Sequence, residues 1–203
     1  MSDARNEILE RIRSALGPSP VTPEPQRDYA RAPLQGRGDA EVFAQAVEEY
    51  AATVHRTTPA EAADVVARLV AGSSVVVPHD LPTQYVVEGA AVDDPAAPLT
   101  PRELDGIRSV VTLGRLGIAA TGTVVLDAGP GQGRRAVTLV PDHHVCVLLE
   151  SQVVDTVPQA FTVLGTDRPL TLISGPSAPS DIELDRVEGV HGPRTLDVVL
   201  VAD

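Results

Sequence analysis

Residues 58–78, TPAEAADVVARLVAGSSVVVP, set the grammar of this chain. Thr58, Pro59 and Glu61 stand in the order that opens a helix, with Thr58 as the cap and Pro59 as the first helical residue. The helix is expected to run through Leu69 and to stop at Gly72. The β-branched run at 74–78 reads as a short buried strand. A helix followed at once by an apolar strand is the unit from which parallel sheets are built. The same order returns downstream, with strands expected at 109–113, 117–119, 123–127, 136–140, 145–149, 170–174 and 197–201 and a helix within 154–163. Upstream, Val42, Phe43, Ala46, Val47 and Tyr50 keep helical spacing. The expected fold is α/β, a mainly parallel sheet flanked by helices, with one sheet using most of the chain.

The start of the chain is different. Ser2 and Asp3 precede Ile8, Leu9, Ile12 and Leu16, an amphipathic helix ended by Gly17 and Pro18. Residues 18–38 hold Pro20, Pro23, Pro25, Pro33, Gly36 and Gly38, which cannot continue a helix and read as an extended linker. The organisation is therefore 1–38 as an N-terminal helix with a Pro-rich linker and 39–203 as the folded domain. Two readings of the first helix stand: it folds back on the same core, or it docks on a partner.

Composition removes several classes of function. The net charge of −12 repels phosphate backbones, and with no Trp, three Tyr and two Phe the chain is poor in base-stacking platforms, so no nucleic-acid partner is expected. All sixteen basic residues are Arg. Without Lys there is neither Schiff-base chemistry nor a Walker-type phosphate loop. The single cysteine, Cys146, lies in an apolar run and reads as a buried inert thiol; alone it cannot hold a cluster that takes four thiolates. No cofactor is expected in this chain. The absence of a signal-peptide pattern or a spanning apolar run predicts a cytoplasmic protein with no membrane partner.

Three stretches carry candidate chemistry. In GIAATGTVVLD (117–127), Gly122 permits a tight turn or a close ligand approach, and Thr121 and Thr123 either donate to an anion or satisfy the local backbone. In GPGQGRRAVTLVPDHHVCV (129–147), glycines precede Arg134 and Arg135, which suits a carboxylate or phosphate. The spacing is not a Rossmann fingerprint, because 136–140 reads as a strand; the competing reading is an exposed hairpin loop with solvated arginines. His143 and His144 in a strand point to opposite faces, so they do not share a metal, and no metal site is expected. Either one can serve as acid or base in a cleft, or as a satisfied structural histidine.

The third stretch, LISGPSAPSDIELDRVEGVHGPR (172–194), leaves a strand through Ser174, Gly175, Pro176 and Ser177, the kind of strand carboxyl end where open α/β sheets bind ligands. Ser180 and Glu183 fit a capping box and so can be purely structural. The same helix start attracts an anion, and Asp181, Glu183, His191 and Arg194 add acid, base and guanidinium. The candidate ligand site is Thr121, Gly122, Thr123, Arg135, His143, Ser174, Gly175, Ser177, Asp181, His191 and Arg194.

The words AATGTVVLD, GQGRRAVTLVPDHHVCV, SGPSAPSDIE and GVHGPR, in that order over residues 39–203, resemble the lactate utilization protein C family, whose members consist of a LUD domain. The resemblance implies a fold similar to the CoA-transferase and ribose-phosphate isomerase superfamily. It also implies a cytoplasmic, non-redox part in oxidising L-lactate to pyruvate beside partner proteins that carry the iron-sulfur clusters. A small carboxylate is the expected ligand, held by Arg194 or Arg135, with a histidine to take a proton. The alternative is an independent enzyme or binding protein for a CoA-linked or phosphorylated small molecule. One position departs from the family, which often has an acid before Thr-Gly-Thr where this chain has Ala120. Such a step is then lost, or a carboxylate arrives from elsewhere, with Asp127, Asp142 and Asp181 as candidates.

Overall fold

The computed structural model describes residues 2–18, 24, 37–165, 168–177 and 192–203. The chain divides into two units, residues 1–31 and 32–203. The first contains helix α1 (Ser2–Leu16), which carries an exposed i,i+4 pair between Glu7 and Arg11.

The second unit is built on a six-stranded, wholly parallel sheet. Its strands are β1 (Thr53–Thr57), β2 (Val75–Pro78), β3 (Ala91–Asp93), β4 (Ser109–Leu113), β7 (His143–Leu149) and β10 (Thr195–Val201), in the order β1-β10-β7-β4-β2-β3. A smaller mixed sheet runs β8-β5-β6-β9, from β5 (Leu116–Ile118), β6 (Thr123–Leu126), β8 (Val153–Val154) and β9 (Thr171–Ile173). The α/β class and the mainly parallel sheet agree with the sequence reading. The single sheet does not: β5 pairs antiparallel with β6, and β6 antiparallel with β9, so these strands close a sheet of their own.

Alternation along the strands explains the layers. Val199 and Val201 of β10, with Val145 and Val147 of β7, pack under Ala62, Val65 and Val66 of helix α3 (Ala62–Leu69). Leu196, Val198 and Leu200, with Cys146 and Leu148, face the other way, onto Phe43 and Val47 of α2 (Ala40–Glu49) and onto Val124 and Leu126 of the small sheet. The outer face of that sheet, Leu116, Ile118 and Val125, is covered by Ala160 and Leu164 at helix α5 (Val157–Val163). Helix α4 (Pro101–Asp105), opened by a Thr100–Glu103 capping box, places Leu104 against Val76, Val110 and Val137.

Two local expectations are corrected. Helix α3 begins at Ala62 with Glu61 as its N-cap, because the Thr58 carbonyl takes both the Glu61 and the Ala62 amides and closes a turn first. Residues 136–140 are helical turns, not a strand: Val137 N bonds Arg134 O, and Val140 N bonds Ala136 O at 3.1 Å. Val137 is fully buried with Ala136 and Val140 packed around the same cluster, a spacing of one and three rather than two.

Candidate ligand-binding site

The two central strands carry polar side chains on both faces near their amino ends. On the α3 face, Ser109, His143, Asp197 and His55 form one hydrogen-bonded row across four neighbouring strands. Ser109 Oγ lies 3.0 Å from His143 Nδ1, His143 Nε2 lies 2.7 Å from one oxygen of Asp197, and His55 Nε2 lies 2.7 Å from the other. Burial alone would raise the Asp197 pKa, but the hydrogen bonds from His143 and His55 outweigh it and hold the group below its ordinary value. His143 is thereby fully engaged inside the sheet.

On the opposite face, His144 Nε2 lies 2.8 Å from Thr112 Oγ1, and Thr112 Oγ1 lies 4.0 Å from the Cys146 thiol. His144 is buried, and that burial, followed by the charges of His143 and Arg135, pushes its pKa down to about 3. It is therefore a neutral imidazole. Cys146 is pushed up to about 12 by burial, a protonated thiol and not a nucleophile. The Nδ1 atom of His144 has no hydrogen-bond partner, and it is the one buried side-chain nitrogen or oxygen among the described residues in that condition. Such atoms are rare enough to need an explanation.

His144 lines a cavity of about 270 Å³, whose walls include Arg135, Thr138, Ser174, Ser177 and Leu196. The volume sits just below the roughly 300–1,000 Å³ of clefts that take drug-sized ligands, so the space suits a small metabolite. Arg135 Nη1 is steadied by Thr138 Oγ1 at 3.2 Å and has no acidic partner among the described residues. A cationic guanidinium, the hydroxyl residues Thr138, Thr171, Ser174 and Ser177, and a neutral imidazole thus line one small space. Arg135 and Thr138 also line a second cavity of about 480 Å³, which shares Arg134 and Gly133 with a third of about 380 Å³.

The sequence candidates separate on this geometry. Arg135, Ser174, Gly175 and Ser177 come together at the cavity, with Ser177 N bonded to Pro193 O at 2.8 Å. Thr121, Gly122 and Thr123 do not line it; they reach it only through hydroxyls, Thr121 to Thr123 at 2.7 Å and Thr123 to Ser174 at 2.8 Å. Gly122, with φ of +54°, lies against helix α2, where a Cβ would stand 2.5 Å from the Ala46 carbonyl carbon. Gly175 is packed against Tyr50 in the same way. Arg194 forms a two-pronged pair with Asp142 and is not a cavity wall. Asp181 and His191 lie outside the described residues.

The position of the cavity corrects a further expectation. It abuts His144 and Leu196, the second residues of β7 and β10, so it lies at the amino ends of the parallel strands. Ser174 does follow a strand, but that strand is the edge of the small mixed sheet, paired antiparallel with β6. Of the two arginines after the glycines, Arg135 is exposed, whereas Arg134 is not a solvated hairpin residue. Arg134 grips the buried Asp93 with Nε and Nη2 at 2.9 and 2.8 Å and also donates to the Leu99 carbonyl. Two carboxylates proposed to stand in for the acid missing at Ala120 are already used: Asp127 by Gln132 and Gly129 in its own turn, Asp142 by Arg194. Among the described residues no three His, Cys, Asp or Glu side chains are grouped to hold a metal ion, and no helix is long and apolar enough to cross a membrane.

The family model described as LUD domain matches residues 100–201, which span the cavity walls and both histidine rows apart from His55. A lactate utilization protein C of Deinococcus radiodurans is 38% identical over 98% of this chain and 96% of its own length. The chain belongs to the LUD-domain family. A lactate utilization protein C of Exiguobacterium is 28% identical over 98% of this chain and 96% of its own length, and that of Bacillus subtilis is 35% identical over 46% of this chain and 42% of its own. The crystal structure of a DUF162 family protein from Deinococcus radiodurans superposes with a TM-score of 0.67 at 34% identity, covering 79% of this chain and 94% of that one. This LUD-domain chain therefore shares the architecture of an experimentally determined relative.

His144, Thr112 and Thr138 are among the site residues that sequence reasoning did not select. The pair His143–His144 told that one imidazole would face each side of the sheet, but not which side held the cavity. Thr112 is two residues before a glycine in an otherwise apolar strand, and nothing local marks it.

Proposed function

We propose that this chain is a non-redox component of an L-lactate oxidation system, that it holds a small carboxylate in the cavity between Arg135 and His144, and that the electrons pass through iron-sulfur partner proteins. The observation that carries the ligand class is Arg135: a guanidinium with no acidic partner among the described residues, steadied by Thr138 at the wall of a small cavity. Guanidinium pairs with carboxylate through two parallel hydrogen bonds, which fixes orientation as well as affinity. The lactate assignment is supported by the names of the relatives at 38% and 28% identity. The division of labour is supported by chemistry: one protonated, buried thiol in 203 residues cannot supply the four thiolates of a cluster. A cytoplasmic location fits such a role.

Calorimetric titration of the purified chain with L-lactate tests the reading. Saturable binding in the native protein, lost in Arg135→Gln with the fold intact, is the expected result. No heat from L-lactate or any other small carboxylate, with saturable binding of CoA or a nucleotide instead, would replace this reading by that of an enzyme for CoA-linked or phosphorylated molecules.

A further inference from the structure

We infer that the cavity of about 380 Å³ walled by His79, Arg134 and Arg168 is a second anion site, one that takes the phosphate group of a phosphate monoester. The inference goes beyond the carboxylate reading and does not depend on it, since none of these three residues lines the cavity of Arg135 and His144.

Asp93 is the last residue of β3, and His79 follows Pro78, the last residue of β2. The cavity therefore lies at the carboxyl ends of the parallel strands, the end at which open α/β sheets bind ligands. Ala128, Gly129 and Gly133 of the glycine-rich stretch supply another part of the wall. That stretch is held by its own bonds. The Leu113 amide of β4 donates to Gly131 O at 2.8 Å, and the buried Gln132 side chain accepts from the Asp127 amide at 2.7 Å and donates to the Asp127 carboxylate at 2.9 Å. Ala128 keeps a left-handed φ of +52°, a backbone state that a residue with a side chain holds only where its surroundings fix it.

The charges in the wall decide the class of ligand. Arg134 spends Nε and Nη2 on Asp93 and the Leu99 carbonyl, which fixes the guanidinium and leaves Nη1 unbonded on a side chain 38% exposed. Arg168 is exposed and makes no hydrogen bond or ion pair among the described residues; its Nη1 lies 3.2 Å from the place a Cβ on Gly129 would fill. Two carboxylates share the wall. Asp93 is consumed by Arg134, and Asp80 lies 3.9 Å from His79 Nδ1, so Arg168 is the charge without a counter-ion. A carboxylate is satisfied by one guanidinium. A phosphate monoester brings three terminal oxygens and up to two charges, which matches two guanidinium groups and an imidazole arriving from three separate segments of the chain. The volume falls within the range of small-molecule clefts and leaves room for the body that bears the phosphate.

The test is calorimetric titration of the full chain with inorganic phosphate and with glycerol 3-phosphate, at an ionic strength fixed with chloride so that loose attraction to arginine is screened. Saturable binding of both is expected, with the His79 imidazole resonances moving in the NMR spectrum as phosphate is added. Arg168→Gln, a change at an exposed side chain that leaves the fold intact, should weaken phosphate binding by about tenfold or more, the effect of losing one charge-assisted hydrogen bond. Arg135→Gln should leave phosphate affinity unchanged, and L-lactate should not displace phosphate. No saturable binding of either probe overturns the inference. Phosphate binding that is indifferent to both Arg168→Gln and His79→Gln, or that Arg135→Gln abolishes, overturns it as well by moving the anion elsewhere. The carboxylate reading is decided separately, by L-lactate binding and its response to Arg135→Gln.

Discussion

His143 Nε2 lies 2.7 Å from Asp197 Oδ2, and the second oxygen of that carboxylate is taken by His55 at the same distance. One side chain therefore ties β7 to β10 and β10 to the edge strand β1, with Ser109 of β4 joined through the other nitrogen of His143. Asp197→Ala leaves His143 buried with an unpaired nitrogen and removes the side-chain tie to β1, whose backbone ladder to β10 remains. The expected loss is about 2–3 kcal/mol, the penalty for an unsatisfied buried group, read as a lowered urea midpoint. Because the row lies on the α3 face, carboxylate affinity should be unchanged in the folded variant.

The other histidine sets a pH dependence. Folded His144 stays neutral to about pH 3, whereas in the unfolded chain an imidazole takes a proton near its ordinary value of 6.5. Unfolding therefore binds a proton below pH 6.5, and stability falls as pH falls, by about 1.4 kcal/mol per unit until the folded pKa is reached. Urea unfolding at pH 7, 6 and 5 checks this. The slope should flatten in His144→Asn, and an unchanged slope would assign the effect to other groups.

Arg194 and Asp142 form a pair at the surface, with side chains 48% and 40% exposed. Arg194→Ala should cost less than about 1 kcal/mol in thermal or urea unfolding, as exposed pairs do. L-Lactate affinity should stay within twofold of the native value. A strong loss of affinity would instead bring Arg194 into the cavity.

Gly122→Ala should be severe for a residue this small. The left-handed φ of +54° costs a side chain about 1 kcal/mol or more, and the added Cβ would stand 2.5 Å from backbone atoms of Ala46. A loss above about 2 kcal/mol is expected, with the far-ultraviolet spectrum retained and the melting temperature lowered. A mild effect would mean that α2 can move away from the turn, which the fully buried Phe43 and Val47 oppose.

How much of this was legible in the chain follows from the range of each interaction. Largely buried strands such as β2, β4 and the valine-rich part of β10 announce themselves, since apart from Ser109 their residues are apolar or β-branched and the pattern is local. The edge strand β1, TVHRT, was not expected, because its residues are half exposed and its stabilising contact is His55 with Asp197, 142 positions away. Residues 136–140 were misread as a strand for the converse reason: AVTLV has β propensity, yet packing of Val137 on Leu104 and Val76 selects helical turns.

Sequence alone therefore determined what residue chemistry and short-range periodicity can carry. It defined the α/β class with a mainly parallel sheet, a charge unsuited to nucleic acid, a single thiol unable to hold a cluster, and the opposite facing of His143 and His144. Tertiary structure decided which histidine meets a cavity, that Arg135 stands at its wall without a carboxylate partner among the described residues, and that the cavity lies at the amino ends of the strands. Those outcomes depend on pairings such as Arg134 with Asp93 and Arg194 with Asp142, 41 and 52 residues apart. Identical guanidinium groups become structural or available according to which carboxylate the fold brings within 3 Å.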